Sequence, residues 1–251
     1  MSAFDSIFRL ENKKCCVLNR MSLTLITNPD KKYNETWEPE RDFMNFPCPS
    51  RIVLCGSPNV GKSTIIINLI LKAKPFYKRI FLMHPMLMIE EDDEDDDDVE
   101  VVKEYKHIDY EAIYEFPNPK FFNNGCKKQL LIIDDKELRT LPKEQKARLN
   151  KILSYASSHY NLSVVVACQD SFGQLPVCVL RFCNVIVIWR FNDLNYLRML
   201  LLRCGVSGKK CQDAIINELK DYDKHDCIVC DYTENTPAKY RKNFYIPLNH
   251  I

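Results

Sequence analysis

The chain alternates short, wholly apolar runs with longer stretches in which apolar residues recur every three or four positions. Short apolar runs bounded by glycine, proline or charged residues are typical of buried strands. The longer stretches are typical of helices that pack one face against a sheet. The predicted strands are residues 51–56, 78–85, 128–135, 161–170 and 184–191, and the predicted helices are 63–74, 141–160, 192–205 and 208–222.

Two more strands are predicted at the carboxyl end, at 227–232 and 243–248, as a hairpin joined across TENTPAKYRK. Residues 99–129 predict one short helix and a loop. In helix 141–160 the side chains of Leu149, Ile152, Leu153 and Ala156 share one apolar face. We expect residues 1–47 to be an N-terminal extension that packs on the core, with MSLTLIT (21–27) as a candidate strand, and residues 48–251 to form one domain.

Apolar strands that alternate with helices predict a mostly parallel sheet covered by helices on both faces. The fold class is therefore α/β. With a phosphate-binding loop after its first strand, it is a P-loop NTPase of the additional-strand, RecA-like type with a C-terminal β-hairpin. A strand between the P-loop strand and the strand that carries the magnesium aspartate is the hallmark of that type.

Composition changes this picture little. Hydrophobic residues make up 46% and charged residues 27% of 251 residues, which is ordinary for a globular protein. A formal net charge of +1 gives no support for nucleic-acid binding and does not exclude it, because basic residues can be placed locally. No apolar run approaches the roughly 18 residues of a membrane span.

Twelve cysteines are scattered along the chain. The one C-x-x-C, at Cys227 and Cys230 after His225, has no second ligand pair at comparable spacing. We therefore favour reduced core thiols over a zinc site. Without a signal peptide, the sequence predicts a reducing intracellular compartment.

An unbroken acidic run, EEDDEDDDD, occupies residues 90–98. Such a run repels itself and cannot pack, so we expect a solvated insertion loop. Docking of a basic partner, or mimicry of nucleic-acid phosphates, is the less favoured interpretation.

GSPNVGKST, residues 56–64, satisfies the P-loop pattern G-x-x-x-x-G-K-[ST] between a predicted strand and a predicted helix. Backbone N–H groups of such a loop point at phosphates, and the start of the following helix attracts the same charge. Lys62 is expected to reach the β- and γ-phosphates of ATP, and the Ser63 hydroxyl to ligate Mg²⁺. The predicted nucleotide-binding residues are Gly56, Ser57, Pro58, Asn59, Val60, Gly61, Lys62, Ser63 and Thr64.

LLIIDD, residues 130–135, ends an apolar strand in two acids, as a Walker B strand does. Asp134 is expected to hold Mg²⁺ and Asp135 to polarise the attacking water, with N-capping of the next segment as the alternative for Asp135. The strand NLSVVVACQD places Gln169 at its end, where the amide could orient water and sense hydrolysis or be an ordinary strand terminus.

The loop wording P-N-V-G-K-S also occurs in GTPases of the translation-factor type. Such a GTPase should carry D-x-x-G after its magnesium strand and N/T-K-x-D for guanine. The residues after Asp134 are DKEL, and neither N-K-x-D nor T-K-x-D occurs. We therefore expect ATP as the nucleotide.

The ordered set GSPNVGKST, LLIIDD, SSHYNLSVVVACQD and LRFCNVIVIWRF resembles the poxvirus-type genome-packaging ATPases of the FtsK–HerA superfamily. The resemblance covers roughly residues 48–248. It implies an ATP-hydrolysing motor, a homo-oligomeric ring of five or six subunits, that moves double-stranded viral DNA into a preformed capsid and contacts a capsid protein. It also implies a place of action in the infected cell, at a viral assembly site in cytoplasm or nucleus, or with the virion.

Ring ATPases need an arginine from a neighbouring subunit. The resemblance assigns this role to Arg181, with Arg190 and Arg203 as alternatives, and each of the three is also compatible with a surface or salt-bridge arginine. The P-N-V wording differs from the family's usual loop, and the acidic run is no family signature. Candidate DNA contacts are residues 143–148, 209–210 and 239–242, each equally compatible with a solvated face. The alternative functions are another nucleic-acid-dependent P-loop ATPase and a nucleotide-regulated assembly factor.

Overall fold

A computed structural model describes residues 41–42, 44–88, 102, 104–233, 236, 238–249 and 251. The candidate strand 21–27 and the acidic run 90–98 lie outside these residues. No helix in the described part of the chain combines the length and apolar character that crossing a bilayer requires.

Nine strands form one sheet in the order β3-β2-β4-β5-β1-β6-β7-β8-β9. The strands are β1 Arg51–Cys55, β2 Arg79–Met83, β3 Glu111–Ala112, β4 Gln129–Asp134, β5 Leu162–Cys168, β6 Val185–Trp189, β7 Cys227–Asp231, β8 Tyr240–Lys242 and β9 Ile246–Pro247. The helices are α1 Lys62–Lys72, α2 Lys143–Lys151, α3 Ser157–His159, α4 Ser171–Gln174, α5 Val177–Phe182, α6 Leu194–Arg203 and α7 Lys209–Lys220.

The sheet is parallel from β3 to β6 and antiparallel from β6 to β9. Strand β5 lies between β1 and β4, pairing in parallel with both. This confirms the expected additional strand between the P-loop strand and the Walker B strand. Because the carboxyl ends of parallel strands meet at one edge, the loops after β1, β4 and β5 come together there.

Strand residues alternate between two apolar layers, as the two-residue period of a strand requires. Val53 and Cys55 face one layer, whereas Ile52 and Leu54 face the other. Helix α1 covers the second layer with Ile65, Ile66 and Leu69. The first layer is covered by the predicted face Leu149, Ile152, Leu153 and Ala156, together with the apolar sides of α6 and α7. Both faces of the sheet are therefore buried.

Helix 141–160 contains a feature that periodicity does not reveal. After α2 the helix passes through a π-helical turn, Ile152–Ala156, and then into α3. Its predicted apolar residues are fully buried all the same. The π-helical turn therefore changes the hydrogen bonding of the helix, while the predicted apolar side chains still pack on the sheet.

Two predicted segments are wrong in detail. The described part of residues 99–129 contains a short 3₁₀ helix, Pro119–Phe122, and also the two-residue strand β3, where only a short helix and a loop were expected. The partner of β7 is β8, which falls in the predicted connection, and the predicted strand 243–248 retains only β9. Asn243 and Phe244 have positive φ angles of 50° and 79°, so the chain turns where a strand was expected.

Cys227 and Cys230 are both buried in β7, but on opposite faces of the sheet. They cannot ligate one ion together. Within the described residues there is no group of three or more side chains suited to holding a metal ion in a His/Cys/Asp/Glu cluster.

Candidate nucleotide site

The loop between β1 and α1 is shaped by two glycines. Gly56 leaves β1 against Trp189, and a Cβ atom at this position would lie 2.8 Å from Trp189 Cε3 and 2.9 Å from Val60 Cγ2. Gly61 has a φ of 107°, in the left-handed region that favours glycine, and Asn59 has a φ of 60°. Close packing at Gly56 and chain reversal at Gly61 therefore account for the spacing of the motif.

Helix α1 begins at Lys62 with no side-chain cap. The first N–H groups of a helix have no partner within the helix and carry its positive partial charge. An anion in front of α1 would accept hydrogen bonds from these N–H groups and would be attracted by their positive partial charge.

Lys62 is only 7% exposed and lies over the loop that precedes it. Its Nζ donates to the carbonyl oxygens of Gly56 at 2.9 Å and Ser57 at 3.1 Å. The loop thus folds around its own ammonium group and concentrates positive charge at the start of α1.

Asp134 ends β4 as a buried carboxylate. Tyr105, itself fully buried, donates its hydroxyl to Asp134 Oδ2 at 2.6 Å and also interacts with the hydroxyl of Ser63. Burial raises the pKa of Asp134, as does the charge of Asp135, while the Tyr105 bond, His84 and Lys62 act against the rise. Ser63 and Asp134 are oxygen donors of the kind that Mg²⁺ binds.

Asp135 and Gln169 meet across the ends of β4 and β5. Gln169 Nε2 donates to Asp135 Oδ2 at 2.8 Å. The other carboxylate oxygen, Oδ1, is buried and has no hydrogen-bond partner among the described residues. Asp135 has a φ of 49°, a conformation that costs energy for most residues and that recurs at functional sites. The next long helix, α2, has Pro142 at its N-cap, so Asp135 does not cap it.

These groups border a cavity of about 790 Å³ at the carboxyl edge of the sheet. From the predicted set it is lined by Pro58, Asn59, Val60, Gly61, Lys62, Ser63, Thr64, Asp135 and Gln169. The lining does not include Gly56, Ser57 or Asp134. The carbonyl oxygens of Gly56 and Ser57 accept hydrogen bonds from Lys62, and Asp134 accepts one from Tyr105.

Arg181 is not brought to this cavity. It lies exposed in the last turn of α5, just before β6 and so at the edge where the parallel strands begin. There Arg51, the first residue of β1, donates to Phe182 O at 2.7 Å. Of the two alternatives, Arg190 donates to Lys220 O at 3.1 Å, and the Arg203 guanidinium lies 4.2 Å from the Phe172 ring centre.

Sequence reasoning missed two groups of site residues. Tyr105 and Glu104 come from residues 99–129, which carry no motif. The opposite wall of the cavity comes from the carboxyl end of the chain, with His225, Asp226, Asn243, Phe244, Tyr245 and Ile246. These segments come close to the P-loop only in the folded protein. The C-x-x-C after His225 was the sequence feature closest to them.

The strand order and the loop between β1 and α1 together define an α/β P-loop NTPase of the additional-strand type. Residues 43–200 match the family described as Poxvirus A32 protein, and this chain belongs to that family. No curated protein matches the chain.

Among solved structures, the chain is similar to B204, the DNA-packaging ATPase of Sulfolobus turreted icosahedral virus. The TM-score is 0.53 at 15% identity, over 80% of this chain and 98% of B204. The genome-packaging NTPase B204 of Sulfolobus turreted icosahedral virus 2, in complex with ATP-γ-S, gives a TM-score of 0.50 at 18% identity, over 80% and 98% of the two chains. Its complex with AMP gives 0.52 at 16% identity, again over 80% and 98%. At this identity the similarity shows a shared fold.

Proposed function

We propose that this protein is a viral genome-packaging ATPase, which hydrolyses ATP to move double-stranded DNA into a preformed capsid. The observation that carries the proposal is the pairing of Asp135 with Gln169 beside the P-loop. The P-loop accounts for nucleotide binding, and the pair adds the groups that hydrolysis requires. Membership of the Poxvirus A32 protein family supports the same conclusion, as does similarity to B204, a DNA-packaging ATPase.

In the proposed reaction the P-loop N–H groups and Lys62 hold the β- and γ-phosphates of ATP. Gln169 orients a water molecule, and the carboxylate of Asp135, which lines the cavity, accepts its proton as the water oxygen bonds to the γ-phosphorus. The bond from that phosphorus to the bridging oxygen breaks, which leaves ADP and inorganic phosphate. Gln169, at the end of β5, is then placed to transmit the loss of the γ-phosphate to the sheet.

Ser63 and Asp134 fit a magnesium ion, since they present a hydroxyl and a carboxylate oxygen beside Lys62 and Tyr105. Mg²⁺ held there would neutralise phosphate charge. Tyr105 keeps the Asp134 carboxylate oriented through its hydroxyl.

The partners we propose are double-stranded DNA, further copies of this chain in a ring of five or six, and a viral capsid protein, with Arg181 acting on a neighbour's nucleotide. The proposed place of action is the viral assembly site of an infected cell. A nucleotide-regulated assembly factor remains the second candidate, but the Asp135–Gln169 pair favours hydrolysis.

The proposal is tested by ATP turnover of the assembled oligomer with and without duplex DNA. DNA should accelerate turnover, and Lys62→Ala and Asp134→Ala should abolish it, whereas Lys74→Ala, an exposed lysine beyond α1, should have no effect. Equal turnover with and without DNA in an assembled oligomer would contradict a translocating motor.

A further inference from the structure

The strand order divides the cavity into two ends. Asp135 and Gln169 follow β4 and β5, on one side of the P-loop strand β1. His225 precedes β7, Asn243 to Tyr245 join β8 to β9, and Ile246 begins β9, all on the other side of β1. Because Asp135 and Gln169 mark the γ-phosphate end of ATP in the proposed function, on which this inference rests, the ribose and base must extend toward His225.

His225 lies directly against the P-loop. Its Nδ1 is 3.2 Å from the carbonyl oxygen of Val60, and a Cβ atom on Gly61 would lie 3.9 Å from the same nitrogen. A carbonyl oxygen can only accept, so Nδ1 must carry the proton. In the neutral imidazole, Nε2 is then an acceptor, and no described residue hydrogen bonds to it.

The neighbouring polar groups of this wall are already engaged. Asn243 Oδ1 accepts from Cys227 N at 2.9 Å, and its Nδ2 donates to Asp226 Oδ1 at 2.5 Å. The other oxygen of Asp226 pairs with Lys242 Nζ at 2.9 Å. These bonds fix the wall and leave His225 Nε2 as an acceptor open to a ligand.

An apolar surface lies at the same end. Ile246 is 43% exposed and lines the cavity, whereas its neighbours Phe244 and Tyr245 are almost fully buried. An exposed isoleucine on the cavity wall offers an apolar contact for one face of a purine ring.

We propose that His225 and Ile246 form the base subsite, in which His225 Nε2 accepts a hydrogen bond from the 6-amino group of adenine while Ile246 covers one face of the ring. Guanine carries an oxygen at position 6, so two acceptors would oppose each other. The carbonyl oxygen of Val60 fixes the His225 tautomer, and this tautomer would select adenine without an N-K-x-D motif. Guanine would bind more weakly because His225 Nε2 and its own O6 would both lack a donor.

The test is a double-mutant cycle between protein and ligand, on the full chain. ADP and purine riboside 5′-diphosphate, which lacks the 6-amino group, are titrated by calorimetry against wild type and His225→Asn. The asparagine amide can still donate to Val60 but has no counterpart of Nε2. His159→Asn, an exposed histidine away from the cavity, is the matched control.

Loss of the amino group should weaken binding to wild type and His159→Asn by about three- to tenfold, and binding to His225→Asn by much less. Ile246→Ser should weaken both ligands equally. The same loss in wild type and His225→Asn would overturn the base contact while leaving the nucleotide site intact. Failure of wild type to bind either ligand would instead refute the proposed ATPase, and the base subsite with it.

Discussion

At the scale of single residues, the site is defined by carboxylates in unfavourable surroundings. Asp134 is 5% exposed and its pKa is raised by burial, with Asp135 as a second cause. Asp135 has left-handed backbone geometry and a buried carboxylate oxygen that no described residue hydrogen bonds to. Features of this kind cost stability and persist where function needs them.

Asp134→Asn should therefore stabilise the fold while it abolishes hydrolysis. Because the folded state binds the Asp134 proton more tightly than the unfolded chain does, this carboxyl group makes stability fall as the pH rises from about 3.8 through its raised pKa. Above that window the asparagine variant should unfold about 2–4 °C higher than wild type in the absence of nucleotide.

Thermal unfolding at several pH values checks this prediction, with Asp109→Asn, an exposed acid, as the control. The advantage of Asp134→Asn should vanish at low pH, where the wild-type carboxyl is protonated in both states. A variant less stable than wild type at neutral pH would be inconsistent with a destabilising buried carboxylate.

The P-loop, the two acids and Gln169 could be proposed from sequence because each follows an apolar strand and lies at a parallel carboxyl edge. Their roles in catalysis stay predictions, as does the role of Arg181. Tyr105 and His225 could not be proposed as nucleotide-site residues. Tyr105 lies in a segment without a motif, and the C-x-x-C beside His225 suggests a metal site. Their contacts also join residues 29 and 165 positions apart.

At the scale of elements, the apolar strands were predictable and the carboxyl end was not. Residues 243–248 look like a strand because they are apolar, while β8, with the sequence YRK, looks like a loop. Arg241 of β8 is nevertheless buried, because Asp231 of β7 pairs with it at 3.1 Å. Arg41 pairs with the same Asp231 oxygen at 2.8 Å and also bonds to Thr233. Hydrophobic pattern alone cannot anticipate a buried arginine strand.

Asp231→Ala should destabilise the protein by about 3–5 kcal/mol, because it leaves two buried guanidinium groups without their carboxylate. Urea unfolding measures the change. The matched control is Asp213→Ala, which removes an ion pair with Arg198 in which both side chains are over a third exposed and should cost less than ~1 kcal/mol. Equal effects of the two variants would show that the buried network does not hold β7, β8 and the Arg41 segment together.

At the scale of the whole molecule, the cavity lies at the carboxyl ends of the parallel strands and Arg181 lies at their amino ends. A five-residue strand such as β6 is about 16 Å long, so Arg181 is too far away to serve its own nucleotide. It can serve a neighbour's if the amino edge of one subunit faces the carboxyl edge of the next. Such a head-to-tail contact closes into a ring when its rotation allows.

Mixed oligomers test this arrangement. Arg181→Ala subunits combined with Lys62→Ala subunits should recover part of the turnover that each lacks alone, since hybrid interfaces pair an intact P-loop with an intact arginine. Arg190→Ala subunits should keep their turnover without any partner variant if Arg181 is the acting residue. Absence of recovery in oligomers shown to be mixed would exclude Arg181.

Movement along DNA is the central claim, and displacement of a third strand measures it most directly. A triplex-forming oligonucleotide is bound to a linear duplex, and its release by the assembled protein is followed over time. Release should require ATP, should stop with a non-hydrolysable analogue, and should be absent with Lys62→Ala. ATP hydrolysis that proceeds on the same duplex without releasing the third strand would contradict a DNA-translocating packaging motor.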